Sequence, residues 1–144
     1  MRFRFFAFSS LVKVRCWQGI WSKANWPIPV PSSFSKRQID VIAISKFEIQ
    51  KLNAKFRRVN EPTDVLSFYY GEGVLLGEVY LCLEEVANKA KMFNNDFRAE
   101  LVLDIVHGVL HVVGFKHSAE MFSRQQQLAD KLIKEINEAD CWIR

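Results

Sequence analysis

The most strongly patterned stretch of the chain is residues 97–113. There Leu101, Val102, Leu103, Ile105, Val106, Val109, Leu110, Val112 and Val113 cover nearly the whole circumference of a helix. A helix that is apolar all round is buried on most sides. Its polar exceptions, Glu100, Asp104, His107 and His111, are spaced 4, 3 and 4 residues apart and so fall on one stripe. Polar groups aligned along a buried helix need partners, because an unpaired one costs about 1–3 kcal/mol.

The neighbouring pattern predicts a mixed α/β arrangement. Residues 38–45 read as a short β-branched strand, and 46–57 as a helix with Phe47, Ile49, Leu52 and Phe56 at helical intervals. Asn60 and Pro62 fall in the break that follows. Val65–Tyr70 and Val74–Leu83 are predicted strands joined through Gly71–Gly73 as a hairpin. Residues 84–93 read as a helix, Asn94-Asn95-Asp96 as a turn with an N-cap, and 119–138 as a last amphipathic helix. Residues 1–35 are less legible. Residues 3–8 and 11–16 alternate weakly, as strands do, and Trp26-Pro27-Ile28-Pro29-Val30-Pro31 excludes a helix interior or a central strand. They read as an irregular cover or an altered N-terminal element of the same domain, with residues 36–144 carrying the function. The expected fold is one α/β (α+β) domain, a small mixed sheet packed with helices.

Composition adds limits rather than identity. The chain has 144 residues, 49% hydrophobic and 25% charged, which is ordinary for one globular domain. No segment approaches the ~20 apolar residues of a membrane span. The opening MRFRFFAFSSLVKVRCW starts like a signal peptide, but Lys13 and Arg15 cut its apolar stretch short. Three cysteines, Cys16, Cys82 and Cys141, are odd in number and far apart, which predicts free thiols in a reducing compartment. The expectation is a soluble, cytoplasmic protein. Charge is lopsided: residues 1–60 carry 12 Lys/Arg against 2 Asp/Glu, and residues 61–144 carry 8 against 14. Lys46, Lys51, Lys55, Arg57 and Arg58 stand at spacings that would cluster on a helix, as a solvated face or as a surface for phosphates.

The candidate chemistry sits in HGVLHVVGFKH, which holds all three histidines of the chain. His107 and His111, at i and i+4, put two imidazoles on one helix face. Gly114 can take the positive φ that ends a helix and turns the chain, giving His117 a route to the same ion. Three neutral imidazoles suit zinc, one per chain, and leave a fourth position open for water. Another divalent transition metal would also be accepted. The spacing matches the metzincin protease motif H-E-x-x-H-x-x-G-x-x-H at every position but one. Gly108 stands where that motif has its general-base Glu, and a glycine cannot take a proton from a metal-activated water.

HGVLHVVGFKH, together with FRRVNEPTDVLSF at 56–68 and GEVYLC at 77–82, resembles the YbeY family of metal-dependent endoribonucleases. The resemblance runs from about Ile39 to about Ile136. It implies a mixed sheet with a zincin-like metal helix, and single-strand-specific cleavage in ribosomal RNA maturation, at the 3′ end of the 16S RNA, and in ribosome quality control. It implies His107, His111 and His117 as metal ligands, with Arg57 and His111 engaged in the chemistry. The implied partners are RNA of the small ribosomal subunit, ribosomal proteins and ribosome-associated GTPases, with no membrane. Two features depart from the family pattern. Lys116 stands where Asp is common, and residues 1–35 lack a clear first strand and helix.

The remaining candidates are weighed on their own chemistry. Arg57 reads from the residues as a cation complementing a helix C-terminus, and from the resemblance as a clamp on the scissile phosphate. Thr63 and Asp64 suit a turn, bonding backbone groups. Ser67 is strand polar filler or cleft lining. Asp104 either accepts a ligand's second ring N–H or pairs with a nearby cation. Cys82 reads as a small buried hydrophobe. Two other functions remain: a zinc hydrolase of peptides or small molecules, opposed by Gly108, and a ribosome-associated binding factor with a structural metal, opposed by the lack of a fourth Cys or His ligand.

Overall fold

The computed structural model of the protein describes residues 1–27 and 36–143. Its elements, in chain order, are β1 (Arg2–Phe6), α1 (Val14–Lys23), β2 (Gln38–Ala43), α2 (Lys46–Arg57), β3 (Val65–Tyr69), β4 (Leu75–Leu81), α3 (Leu83–Met92), α4 (Phe97–Val112) and α5 (Ala119–Glu138). The four strands form one sheet in the order β1-β2-β4-β3. β1 and β4 both run parallel to β2, and β3 pairs antiparallel with β4, making the hairpin the glycine turn predicts. The expectation of a mixed sheet packed with helices holds.

The buried helix α4 lies against one face of this sheet and shares the main core with Val79 and Leu81 of β4, Ile39 and Val41 of β2, and Met121 and Leu132 of α5. On the other face α2 buries Ile49 against Leu66 and Cys82. Two glycines set how closely α4 approaches the strands. A Cβ on Gly77 would lie 2.6 Å from Val112, and one on Gly108 would lie 2.6 Å from Val79 and 3.0 Å from the Ser67 hydroxyl. Neither position has room for a methyl group, so α4 rests on β3 and β4 through glycine backbone.

Residues 1–27 bear out one part of the sequence expectation and correct another. Residues 2–6 do form a strand, in which Phe3 and Phe5 turn inward and Arg2 and Arg4 outward. Residues 11–16, however, do not continue as a strand, because α1 begins at Val14. Trp17 and Trp21 of α1, at i and i+4, are fully buried, and their rings lie 5.3 and 5.8 Å from that of Phe5. The chain thus has a first strand and helix; large aromatics supply the apolar face. The Trp/Pro break extends past Pro27 into residues 28–35, outside the described residues.

The cysteine expectation is also corrected. Cys16 and Cys141 are disulfide-bonded, with Cα atoms 5.7 Å apart, and only Cys82 is free. A sequence separation of 125 hid the pair, since nothing local links α1 to the C-terminal segment. The fold brings them together: Val12 bridges to Trp142, and the Lys13 N–H donates to the Cys141 carbonyl. Cys82 is buried, as expected, but it occupies the N-cap position of α3 rather than a strand.

Candidate metal centre

The geometry of the three histidines begins with the end of α4. Asp96 caps its N-terminus by accepting from the Ala99 N–H. At the other end Gly114, at φ 106°, donates to the His111 carbonyl, and the Phe115 N–H donates to the Leu110 carbonyl. These two bonds make the Schellman turn that ends many helices. The turn reverses the chain so that the Phe115 carbonyl comes back to His111. It also carries His117 over the same helix face, just before Ser118 caps α5.

The result is a triangle of nitrogens. His111 Nε2 lies 3.1 Å from His107 Nε2 and 3.0 Å from His117 Nε2, and the third side is 3.4 Å. The protons can be assigned from the other ring edge. The Phe115 carbonyl, 3.0 Å from His111 Nδ1, can only accept, so Nδ1 carries the hydrogen and Nε2 of the neutral ring is a bare lone pair. His107 Nδ1 lies 2.7 Å from the Gln125 side-chain oxygen, which fixes the same tautomer there. Lone pairs facing each other at this distance repel unless a cation lies among them. In a tetrahedral site with bonds of ~2.0–2.1 Å, ligand nitrogens are about 3.3 Å apart, which fits the observed triangle. The three-histidine group is therefore compatible with a metal site.

Protonation is biased the same way. Burial, with the neighbouring histidines, lowers the pKa of both His107 and His111 below the ordinary imidazole value. They stay neutral at pH 7 and available as ligands.

The pocket around the triangle, about 420 Å³, is lined by His107, His111 and His117, by Arg57 and by residues 63–67. Arg57 arrives there because α2 ends at it. Arg58 follows in the left-handed conformation, and its N–H donates to the Asn53 carbonyl. The buried Asn53 side chain donates to the Glu61 carbonyl and anchors the loop that returns to β3. Ser67, on the edge strand, lines the pocket and donates to the Gly108 carbonyl at 2.9 Å, tying strand to metal helix.

Asp64 and Asp104 meet on Lys89, whose ammonium lies 3.0 Å from Asp64 and 2.7 Å from Asp104, with Glu100 at 3.6 Å. This ties the loop before β3 to α3 and α4. Asp64 Oδ1 also accepts from the Val65 N–H and the Thr63 hydroxyl, the turn role the sequence suggested. Burial and the adjacent Asp64 push Asp104 up to about 8, against the pull of Lys89. Burial pushes Asp64 up too, but bonds from Asp104 and Lys89 outweigh it and its pKa falls. Asp104 thus accepts a hydrogen bond from the Lys89 ammonium, with its own carboxyl largely protonated at pH 7, rather than orienting a ligand. The orienting group at His107 is Gln125, which the sequence did not single out: it lies 18 residues away in a run of three glutamines on α5.

A family model described as Endoribonuclease YbeY matches residues 21–136. Curated relatives carry the same description. One from Thermosipho melanesiensis is 36% identical over 102 residues, covering 67% of this chain and 74% of its own length. One from Thermotoga petrophila is 39% identical over 100 residues, covering 65% and 67%, and one from Sulfurimonas denitrificans is 34% identical over 110 residues, covering 75% and 78%. A solution structure of a Thermotoga maritima protein is similar at a TM-score of 0.65 and 29% identity, covering 95% of this chain and 93% of that one.

Proposed function

The chain belongs to the YbeY endoribonuclease family, and from that premise we propose that it is a metal-dependent endoribonuclease that cuts single-stranded ribosomal RNA. The observation that carries the reading is the Nε2 triangle of His107, His111 and His117, with the His107 and His111 corners bare lone pairs, in one pocket with Arg57. The proposed ion is zinc, held by these three nitrogens. When bound, it supplies Lewis acidity and an activated water near neutral pH.

The chain's own residues perform the rest. Gln125 and the Phe115 carbonyl hold the His107 and His111 rings with Nε2 turned inward. Arg57, a planar and permanently charged guanidinium, binds the scissile phosphate and offsets charge that builds on it. Ser67 and the Asp64–Lys89–Asp104 set keep the wall of the pocket in register with α4. The catalytic machinery lies within residues 36–144, while β1 and α1 add an edge to the sheet.

The proposed role is maturation of the 16S ribosomal RNA 3′ end and ribosome quality control, with the small subunit, ribosomal proteins and ribosome-associated GTPases as partners. The proposed location is the cytoplasm, on the ground of that substrate alone, since the Cys16–Cys141 bond removes the free-thiol argument for a reducing compartment. No helix among the described residues is long and apolar enough to cross a membrane.

The test joins metal content to cleavage. Purified protein carries close to one equivalent of metal per chain and cuts single-stranded RNA in a chelator-sensitive way, and His111→Ala loses most of both. A full equivalent retained after all three histidines are replaced by alanine would refute the site. Proteolysis without nuclease activity would favour the hydrolase alternative.

A further inference from the structure

The outer surface of α2 has no role in the metal pocket, yet it is unusual for a solvated helix. Phe47 is 69% exposed and Phe56 56%, and each has a lysine beside its ring. Lys51 Nζ lies 5.0 Å from the Phe47 centroid, and Lys55 Nζ 5.2 Å from that of Phe56. Phe47, Lys51 and Lys55 line a depression of about 870 Å³ together with Ile44, Leu52 and Tyr80. Of the basic residues clustered on α2, Lys46 is committed to Glu85 and Glu84. Lys51 and Lys55 form no ion pair among the described residues. The one acidic residue lining the depression, Glu48, is folded back to cap Ser45.

The surface is continuous with the metal pocket. Arg57 lines that pocket, and Phe56 is its chain neighbour, with its ring against Phe68 of the edge strand at 5.1 Å. From Phe56 the exposed aromatic and basic groups wind along α2 through Lys55 and Lys51 to Phe47. Phe47 lies nine positions from Phe56, a rise of about 13 Å along the helix. Nine positions are also about two and a half turns, so Phe47 and Phe56 lie on opposite sides of α2. A strand passing from one ring to the other winds round the helix over at least about four nucleotides at ~3.4 Å each.

We propose that this surface is a stacking platform for the single-stranded RNA flanking the cleaved bond, with bases on Phe56 and Phe47 and phosphates on Lys55 and Lys51. Exposed rings alternating with unpaired lysines are the means by which proteins hold single strands without reading sequence, since every base has a π-face. An apolar protein segment docked on the same depression would bury both ammonium groups without an anionic partner, which is costly, whereas RNA brings its phosphates to them. The inference rests on the endoribonuclease reading and names where its substrate runs.

The experiment uses the metal-loaded full chain and two labelled RNAs sharing one cleavage site. One spans about 20 nucleotides; the other ends about two nucleotides on either side of the cleaved bond, too short to reach Phe47. Single-turnover cleavage gives the half-saturating concentration for each, and the readout is the ratio between them. Phe47→Ala should cut the advantage of the long RNA about 10-fold, Phe47→Trp should restore it, and Phe93→Ala, at an exposed aromatic just past the end of α3, should leave it intact. An unchanged ratio in Phe47→Ala, with both RNAs still cleaved, overturns the platform while the nuclease reading stands. Loss of a ribosomal protein's binding in Phe47→Ala with that ratio unchanged overturns it in favour of a protein dock. No cleavage of either RNA by the wild type overturns the underlying activity itself.

Discussion

Replacing Gly108 with alanine adds one methyl group where the metal helix crosses the sheet. In a helix interior this change ordinarily stabilises by about 1 kcal/mol, because alanine loses less backbone entropy. Here the new carbon would stand 2.6 Å from Val79 Cγ1, 3.0 Å from the Ser67 hydroxyl and 3.2 Å from Val65 Cγ2. Ordinary contact begins near 3.5 Å, so α4 must lift by roughly 1 Å. Overpacking of that size costs about 1–3 kcal/mol, and straining the Ser67 bond to the Gly108 carbonyl adds about 1 kcal/mol. Set against the propensity gain, the net loss is about 1–3 kcal/mol. The lift also carries His107 and His111 with the helix while His117 stays on the following turn, which distorts the nitrogen triangle. Urea unfolding of the metal-free protein measures the first effect, and zinc titration of the native state the second. A variant about 1 kcal/mol more stable than wild type, with unchanged zinc affinity, would refute the argument. The same geometry bears on the protease comparison: Gly108→Glu cannot install a general base, because its Cβ meets the same three atoms.

Arg57→Ala should lower single-turnover cleavage at saturating RNA by about 10²–10³, the usual loss of one charge-stabilising donor, with metal content unchanged. If bound RNA is cut at the wild-type rate and only a higher RNA concentration is needed, Arg57 docks rather than catalyses. Asp104 carries a pKa of about 8 in the fold against an ordinary 3.8, so the folded state holds a proton that the unfolded chain lacks. Stability should therefore fall as pH rises from 7 toward 8, by up to about 1.4 kcal/mol per unit, and Asp104→Asn should flatten that slope in pH-dependent denaturation. His107 and His111, whose values are lowered, contribute a loss only below about pH 6.5 and leave this window clear. Reducing the Cys16–Cys141 bond, which closes most of the chain into a loop, should cost on the order of 4–5 kcal/mol. An unfolding midpoint identical with and without reductant would show that the bond contributes nothing.

What the sequence settled by itself is local. The 3.6-residue period makes α4, Asp96 starts it, Gly114 ends it, and His107, His111 and His117 lie within eleven residues. Ligands that close in sequence are brought together by helix geometry and one turn, so their meeting does not depend on the rest of the fold. The hairpin was legible for the same reason, from strand pattern and glycine turn. The groups that orient this set were not legible. Gln125 reaches His107 from 18 residues away, Ser67 reaches Gly108 from 41, and Lys89 gathers Asp64 and Asp104 from 25 and 15. No periodicity marks such partners, because the pairing depends on which faces of α3, α5 and β3 pack against α4. Gly108 read as a missing base in the sequence and is a contact point in the structure; only the distance to Val79 distinguishes the two. The N-terminal strand and helix were obscured because their apolar face is built from widely spaced phenylalanines and tryptophans among basic residues. That face becomes recognisable only when the rings stack on one another in the core.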